Sequence, residues 1–314
     1  MRIEKIRVYY IGAGMISIEP LKVLESSPRF EVLGVATQPD KLAGRKKKFI
    51  PTPLGQWADN NMISVDKPVS VNSEEFIEKL DVLKPDIIFV ASFGQILKTA
   101  LLDLPICGCV NLHASLLPAY RGASPIAAAI MDLRPETGVS FMKMDEGLDS
   151  GPVYCSFALG ITDETAPELE MKLSLLAAEH IESVLGNIVN NSLKPKVQSE
   201  LGVTYAGKIK KADGVIDWNK SAFSIVAKIR AFYPWPGAFF TLESGRKSIK
   251  ITILMARVEL SAGRSRPGST IQADKNRWVI ACGEYSIELL KVKPEGKNEM
   301  SGVDFVRGRP HFFV

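Results

Sequence analysis

Cysteine and histidine are scarce, with 4 and 3 copies in 314 residues. Cys107, Cys109, Cys155 and Cys282 form no pair of C-x-x-C units, which excludes the common zinc-binding frameworks. Cys107 and Cys109 flank a glycine in an apolar run and read as buried structural thiols. Three histidines are too few for a histidine-rich metal site, so no metal is expected. Long apolar runs are also missing: none reaches the roughly 18 residues of a membrane helix. The opening MRIEKIRVYYIG runs a charged start straight into a strand and has no signal-peptide pattern. A cytoplasmic monomer is expected.

What is present is the composition of an ordinary globular protein, 46% apolar and 24% charged, at a length that favours two domains. The net charge of +4 conceals an asymmetry. Residues 207–314 carry 19 Lys/Arg against 10 Asp/Glu, whereas the remainder carries 20 against 25. A basic C-terminal third fits a polyanionic partner such as nucleic acid, or charges dispersed for solubility; the count alone leaves both open.

The N-terminal portion alternates strand and helix. Strands are expected at Ile6–Ile11, Glu31–Ala36, Asp86–Ser92, Cys107–His113, Gly138–Met144 and Val153–Phe157. Helices are expected near 17–26, 73–82, 122–131 and 165–186. Continuous apolar strands alternating with helices predict a doubly wound, Rossmann-like parallel sheet over 1–190. A polar linker is expected at 191–207, and a second domain at 208–314. The second domain offers a helix near Ser221–Ala231, the turn Pro234-Trp-Pro-Gly237, and strands at Ala238–Leu242, Ser248–Leu254, Arg277–Ala281 and Tyr285–Val292. Strands this short predict closure into a small β-barrel.

Gly12-Ala-Gly14 follows the first strand, where a dinucleotide fingerprint would sit, but position 17 is Ser and Thr37-Gln-Pro stands directly after the second strand where the acidic residue is expected. The glycines read as a tight strand-to-helix turn. The middle of the chain is richer. Ligands of open parallel sheets bind outside the carboxyl ends of the strands. Two such ends carry Ser92-Phe-Gly-Gln-Ile-Leu97 and Asn111-Leu-His113. Asn111 and His113 are two apart in an extended segment, so they project from one face. A further loop, Met144-Asp-Glu-Gly-Leu-Asp-Ser-Gly151, carries Asp149. An amide for a developing oxyanion, an imidazole for proton transfer and a carboxylate to orient it suit acyl transfer. Each residue alone has a structural alternative, a bonded core histidine or an Asp capping a turn.

Asn111-x-His113, Ser115-Leu-Leu-Pro118 with Arg121-Gly122, and Leu148-Asp149-x-Gly151 resemble the signature of the folate-dependent formyltransferases. The resemblance implies a catalytic trio of Asn111, His113 and Asp149, and 10-formyltetrahydrofolate as formyl donor. It implies folate contacts at Phe93, Gly94, Gln95, Ile96 and Leu97, and at Ser115, Leu116, Leu117 and Pro118. Over nearly the whole chain the similarity is to the branch acting on initiator methionyl-tRNA. Thr37-Gln-Pro-Asp40 with the basic run Arg45, Lys46, Lys47 and Lys48 is similar to that branch's tRNA-contacting insertion. Thr204-Tyr-Ala-x-Lys208, Ile216-Asp-Trp218 and Ile229-Arg-Ala-Phe-Tyr-Pro-Trp-Pro-Gly237 are similar to its C-terminal domain, an OB-like barrel. Further tRNA contacts are thereby implied at Lys208, Lys210 and Lys211. The chain departs from the family at Gly12-Ala-Gly14, where Gly-Thr-Pro is usual, and at Leu42, Lys98 and Ala119. Two rivals remain at this point: a formyltransferase for an amino sugar or other small amine, and a non-catalytic folate- or RNA-binding protein.

Overall fold

The architecture is that of a computed structural model describing residues 5–43, 48–245, 247–260 and 265–313. The first half runs β1 (Ile6–Gly12), α1 (Ile18–Ser26), β2 (Phe30–Ala36), β3 (Lys41–Ala43), β4 (Lys48–Ile50), α2 (Pro53–Asn60), α3 (Glu74–Leu83), β5 (Ile87–Ala91), α4 (Thr99–Leu102) and β6 (Cys109–His113). It continues through β7 (Arg121–Gly122), α5 (Pro125–Met131), β8 (Glu136–Lys143), β9 (Val153–Gly160), α6 (Ala166–Val189) and β10 (Tyr205–Ala206). The C-terminal part adds α7 (Ala222–Ala231), β11 (Ala238–Ser244), β12 (Lys247–Glu259), β13 (Thr270–Ala273), β14 (Trp278–Ala281), β15 (Ser286–Pro294), β16 (Met300–Ser301) and α8 (Gly302–Gly308).

The main sheet has the order β2-β1-β5-β6-β8-β9. Alternate residues of β1 serve opposite layers. Tyr9 and Ile11 join Phe76 and Leu80 of α3 and Leu101 of α4 in one core cluster. Tyr10 faces the other way, donating from its hydroxyl to the Ser17 carbonyl at 2.7 Å and lying 5.3 Å from the Phe89 ring. Its neighbours continue through Phe141 and Phe157 to His180 of α6, which stacks on Phe157. Helices therefore cover both faces, as continuous apolar strands require.

The expected parallel sheet ends in an antiparallel pair of strands. β1, β2, β5 and β6 are mutually parallel, but β8 pairs antiparallel with both β6 and β9. Only residues 144–152 separate β8 from β9, too few for the dozen or more that a parallel crossover needs. Two short strands lie outside the expected ones: β3 and β4 pair with Leu42 opposite Phe49.

The Gly12-Ala-Gly14 turn is a packing device. A Cβ on Gly14 would stand 2.6 Å from the Ser92 hydroxyl and 3.0 Å from a Glu170 carboxylate oxygen. Glu170 accepts from the Ile16 N–H at 3.1 Å, so this turn, α6 and the loop after β5 meet there.

Contacts group residues 126–135 and 161–167 with the C-terminal part from 208 onward, and the rest up to 207 as a first unit. The C-terminal unit holds an antiparallel sheet of order β11-β12-β15-β14-β13, with β16 on β15. β12 pairs with β11 along its first half and with β15 along its second, with register shifts between Ile253 and Ala256. Such bulges bend a strand and curl the sheet, in keeping with the OB-like expectation. Trp278 is fully buried and stacks on Phe305 of α8 at 5.0 Å, while α7 adds Ile225 and Ile229 to the same core.

Candidate active site

β6 lies inside the sheet, with Asn111 opposite Val90 of β5 and Met142 of β8. That placement fixes Asn111 and His113 on a common face. Asn111 is half-buried, and among the described residues its amide makes no hydrogen bond. His113 is 5% exposed, and its Nε2 lies 2.9 Å from the Tyr120 carbonyl oxygen. A carbonyl can only accept, so Nε2 carries the proton and the neutral ring keeps its lone pair on Nδ1. Nδ1 stands 3.6 Å from Oδ2 of Asp149. That is too long for a hydrogen bond but close enough for an ion pair once the ring is protonated. The bond that sets the tautomer thus comes from Tyr120 rather than from Asp149.

Asp149 is held from several sides. Its φ of +51° lies in the left-handed region, which a non-glycine residue occupies only when its surroundings impose it. Oδ2 accepts from the Gly122 N–H at 2.8 Å. Glycine is required at 122: φ is +115° and a Cβ would meet the Ala206 carbonyl at 2.6 Å. β7 pairs there with β10, Tyr205 opposite Arg121 and Ala206 opposite Gly122. Gln198 donates from Nε2 to the carbonyls of Asp149 at 2.8 Å and Gly151 at 2.7 Å. Its Oε1 accepts from Nε and Nη2 of buried Arg121, at 3.1 and 2.9 Å. Residues 191–207, read from the sequence as a linker, therefore pair with the loops of the trio.

The two expected folate segments are braced differently. In the loop after β5, Phe93 and Leu97 are buried anchors, and Gln38 donates its amide to the Phe93 carbonyl. Gln95 spends its side chain on the backbone, accepting from Val71 N–H at 3.1 Å and donating to Val69 O at 3.3 Å. Asn72 donates to Ile96 O and accepts from Lys98 N–H, both at 2.8 Å. Lys98 thus commits its backbone N–H to Asn72. What remains for a ligand is the backbone around Gly94 and the exposed side chain of Ile96.

In the second segment, Ser115 is fully buried and donates to Ala119 O at 2.6 Å. Ser140 of β8 donates to Ser115 O at 2.7 Å and accepts from Leu117 N–H at 3.1 Å. Leu116, Leu117 and Pro118 are half-buried.

Of the basic residues expected at tRNA, Arg45, Lys46 and Lys47 lie outside the described residues. Lys48 is exposed on β4, and Lys208, Lys210 and Lys211 are exposed at the start of the C-terminal unit. Sequence reasoning missed Tyr120, Gln198 and Ser140 as parts of this site. Tyr120 acts through its backbone, and the two others are separated from their partners by long stretches of chain.

The formyl transferase family matches residues 13–185, and the formyl transferase C-terminal domain family matches 208–310. A methionyl-tRNA formyltransferase of Aromatoleum aromaticum is 39% identical over 311 residues, 99% of this chain and 96% of that protein. One of Acidithiobacillus ferrooxidans is 40% identical over 306 residues, 97% of this chain and 96% of that protein. The chain belongs to the methionyl-tRNA formyltransferase family. Solved structures share the fold at greater distance. An N-formyltransferase from Helicobacter canadensis, bound to folinic acid and dTDP-3-aminofucose, has a TM-score of 0.63 at 20% identity, covering 91% of this chain and 99% of that one. HypX from Aquifex aeolicus, bound to tetrahydrofolic acid, has 0.63 at 14%, covering 99% of this chain and 48% of that one. No helix among the described residues is long and apolar enough to cross a membrane.

Proposed function

We propose that this protein transfers the formyl group of 10-formyltetrahydrofolate to the α-amino group of methionine esterified to initiator tRNA. The observation that carries the reading is the grouping of Asn111, His113 and Asp149 at strand ends of a chain similar along both units to methionyl-tRNA formyltransferases.

The amine nitrogen attacks the formyl carbon, forming a new C–N bond while the formyl oxygen becomes an oxyanion. The Asn111 amide donates to that oxygen; such a donor stabilises a transition state by about 3–4 kcal/mol. His113 receives the amine proton at Nδ1, directly or through one water, because Nε2 is already protonated and bonded to Tyr120. The imidazolium so formed is stabilised by the Asp149 carboxylate 3.6 Å away. Collapse of the intermediate breaks the bond to N10, which takes the proton back from His113. Tetrahydrofolate and formyl-methionyl-tRNA leave. The folate lies against the 93–97 and 115–118 segments, whose backbone groups pair with the polar edge of the pterin.

For the tRNA, the basic balance of 207–314 supplies phosphate contacts. Lys48, Lys208, Lys210 and Lys211 contribute, together with Arg45, Lys46 and Lys47 near the acceptor stem. The protein acts as a monomer in the cytoplasm.

The test is incubation with labelled formyl-folate and, separately, charged initiator tRNA, charged elongator tRNA and amino sugars. Label is expected on initiator methionyl-tRNA. Preferential labelling of an amino sugar would replace this reading with the small-amine one, and folate binding without turnover would replace it with a binding protein.

A further inference from the structure

We propose that Gln198 is a positioning residue of the formyl-transfer site, holding the Asp149 carboxylate beside His113. The proposal rests on the role given to Asp149 above. Which way the Gln198 amide points is fixed by chemistry. A guanidinium only donates, so the atom facing Nε and Nη2 of Arg121 is the amide oxygen. Backbone carbonyls only accept, so the atom facing Asp149 O and Gly151 O is the amide nitrogen. Gln198 therefore spends both sides of its amide on two loops that meet at the trio. One loop carries Arg121 and, next to it, the Gly122 N–H bonded to Asp149 Oδ2. The other carries Asp149 itself.

The geometry of Asp149 makes this clamp consequential. The residue sits at φ +51°, in the left-handed region that Asp visits only occasionally and with the help of local hydrogen bonds. The backbone that leaves it is gripped at the carbonyls of 149 and 151 by one amide nitrogen. Without those two bonds only the Gly122 N–H still holds the carboxylate, and the loop can relax toward an ordinary conformation that shifts Oδ2 relative to Nδ1. At 3.6 Å the contact with His113 has no hydrogen bond of its own to resist this. Arg121 is 6% exposed and forms no ion pair among the described residues, so its guanidinium serves to orient Gln198.

Gln198→Glu separates positioning from folding. A carboxylate still accepts from Arg121, so the buried guanidinium keeps a partner and the fold is retained. The same carboxylate has no proton to donate and turns a negative oxygen toward two carbonyls, so the grip on Asp149 is lost. We expect kcat to fall on the order of tenfold to a hundredfold, the usual cost of misplacing a reacting group, while KM for folate and for tRNA stays at the parent value. In an Asp149→Asn background, Gln198→Glu should have no further effect, because the residue it positions is already disabled. Gln198→Ala should behave like Gln198→Glu if it folds.

A readout independent of turnover is the NMR signal of the His113 ring, one of only three histidines. It should move in Gln198→Glu to the position it takes in Asp149→Asn. Parent-like kcat, a loss that adds to that of Asp149→Asn, or an unmoved His113 signal in a folded variant would each overturn the proposal. If the parent fails to formylate methionyl-tRNA, the proposed function falls, and the His113 comparison still decides whether Gln198 positions Asp149.

Discussion

Ser140→Ala tests whether the second proposed folate segment is held by β8. The Ser140 side chain is fully buried and its hydroxyl is fully used. It donates to Ser115 O at 2.7 Å, accepts from Leu117 N–H at 3.1 Å and meets the Ser156 hydroxyl at 2.8 Å. Removing it strands a backbone carbonyl and a backbone N–H, since the exposed Ser156 can turn to water. An unpaired buried group costs about 1–3 kcal/mol, and partial relaxation of the half-buried 116–118 stretch reduces the sum to roughly 2–4 kcal/mol. For a unit of this size that is a fall in Tm of about 5–15 °C. If the segment instead loosens locally, Tm moves less and KM for the folate rises. Thermal melts and initial rates at varied folate measure both, with Ser156→Ala as the control that should lose about 0.5 kcal/mol or less. A Ser140→Ala protein matching the parent in both Tm and folate KM would refute the assignment of this loop to Ser140.

Asn111→Ala should lower kcat about 10²–10³-fold at unchanged KM, since its amide is otherwise uncommitted; near-parent single-turnover rates would remove it from the mechanism. Affinity for tRNA should fall by about 0.7–0.9 log units per log unit of salt for each phosphate neutralised, and a salt-independent affinity would show that the basic C-terminal balance has no part in binding. Burial raises the Glu170 carboxyl above its ordinary 4.5, against the lowering effect of the Ile16 and Met15 N–H groups. The folded state thus binds that proton more tightly than the unfolded chain, so its stabilising effect is present at low pH and lost as pH rises through the folded value. Glu170→Gln keeps an acceptor for the N–H groups, so its Tm advantage over the parent should grow as pH rises above the ordinary 4.5; a constant difference would contradict the sign.

The strand–helix alternation was legible because β5 and most of β1 are continuous buried apolar runs, so run length alone announces them. The antiparallel ending was not, because β8 and β9 carry the same residue types and only the shortness of 144–152 tells direction. α2 had a readable start that went unused: Thr52 caps it, accepting from Gly55 N–H at 3.0 Å, with Pro53 in the first turn. Within the site, Asn111 and His113 were visible as neighbours on one strand. Tyr120 contributes a carbonyl, which no side-chain pattern records. Gln198 reaches Arg121 across 77 positions and Asp149 across 49, distances over which a single sequence carries no pairing signal.

The pairing of β10 with β7 has a practical consequence for anyone exchanging parts between proteins of this architecture. The end of α6 at Val189 looks like the natural seam, yet the strand that crosses Gly122 and the amide that grips Asp149 both come after it. A chimera that grafts a foreign C-terminal unit at 190 would keep the sheet and the proposed catalytic residues while discarding the brace behind them. The seam belongs after Gly207, with 126–135 and 161–167, which group with the C-terminal unit, exchanged alongside it.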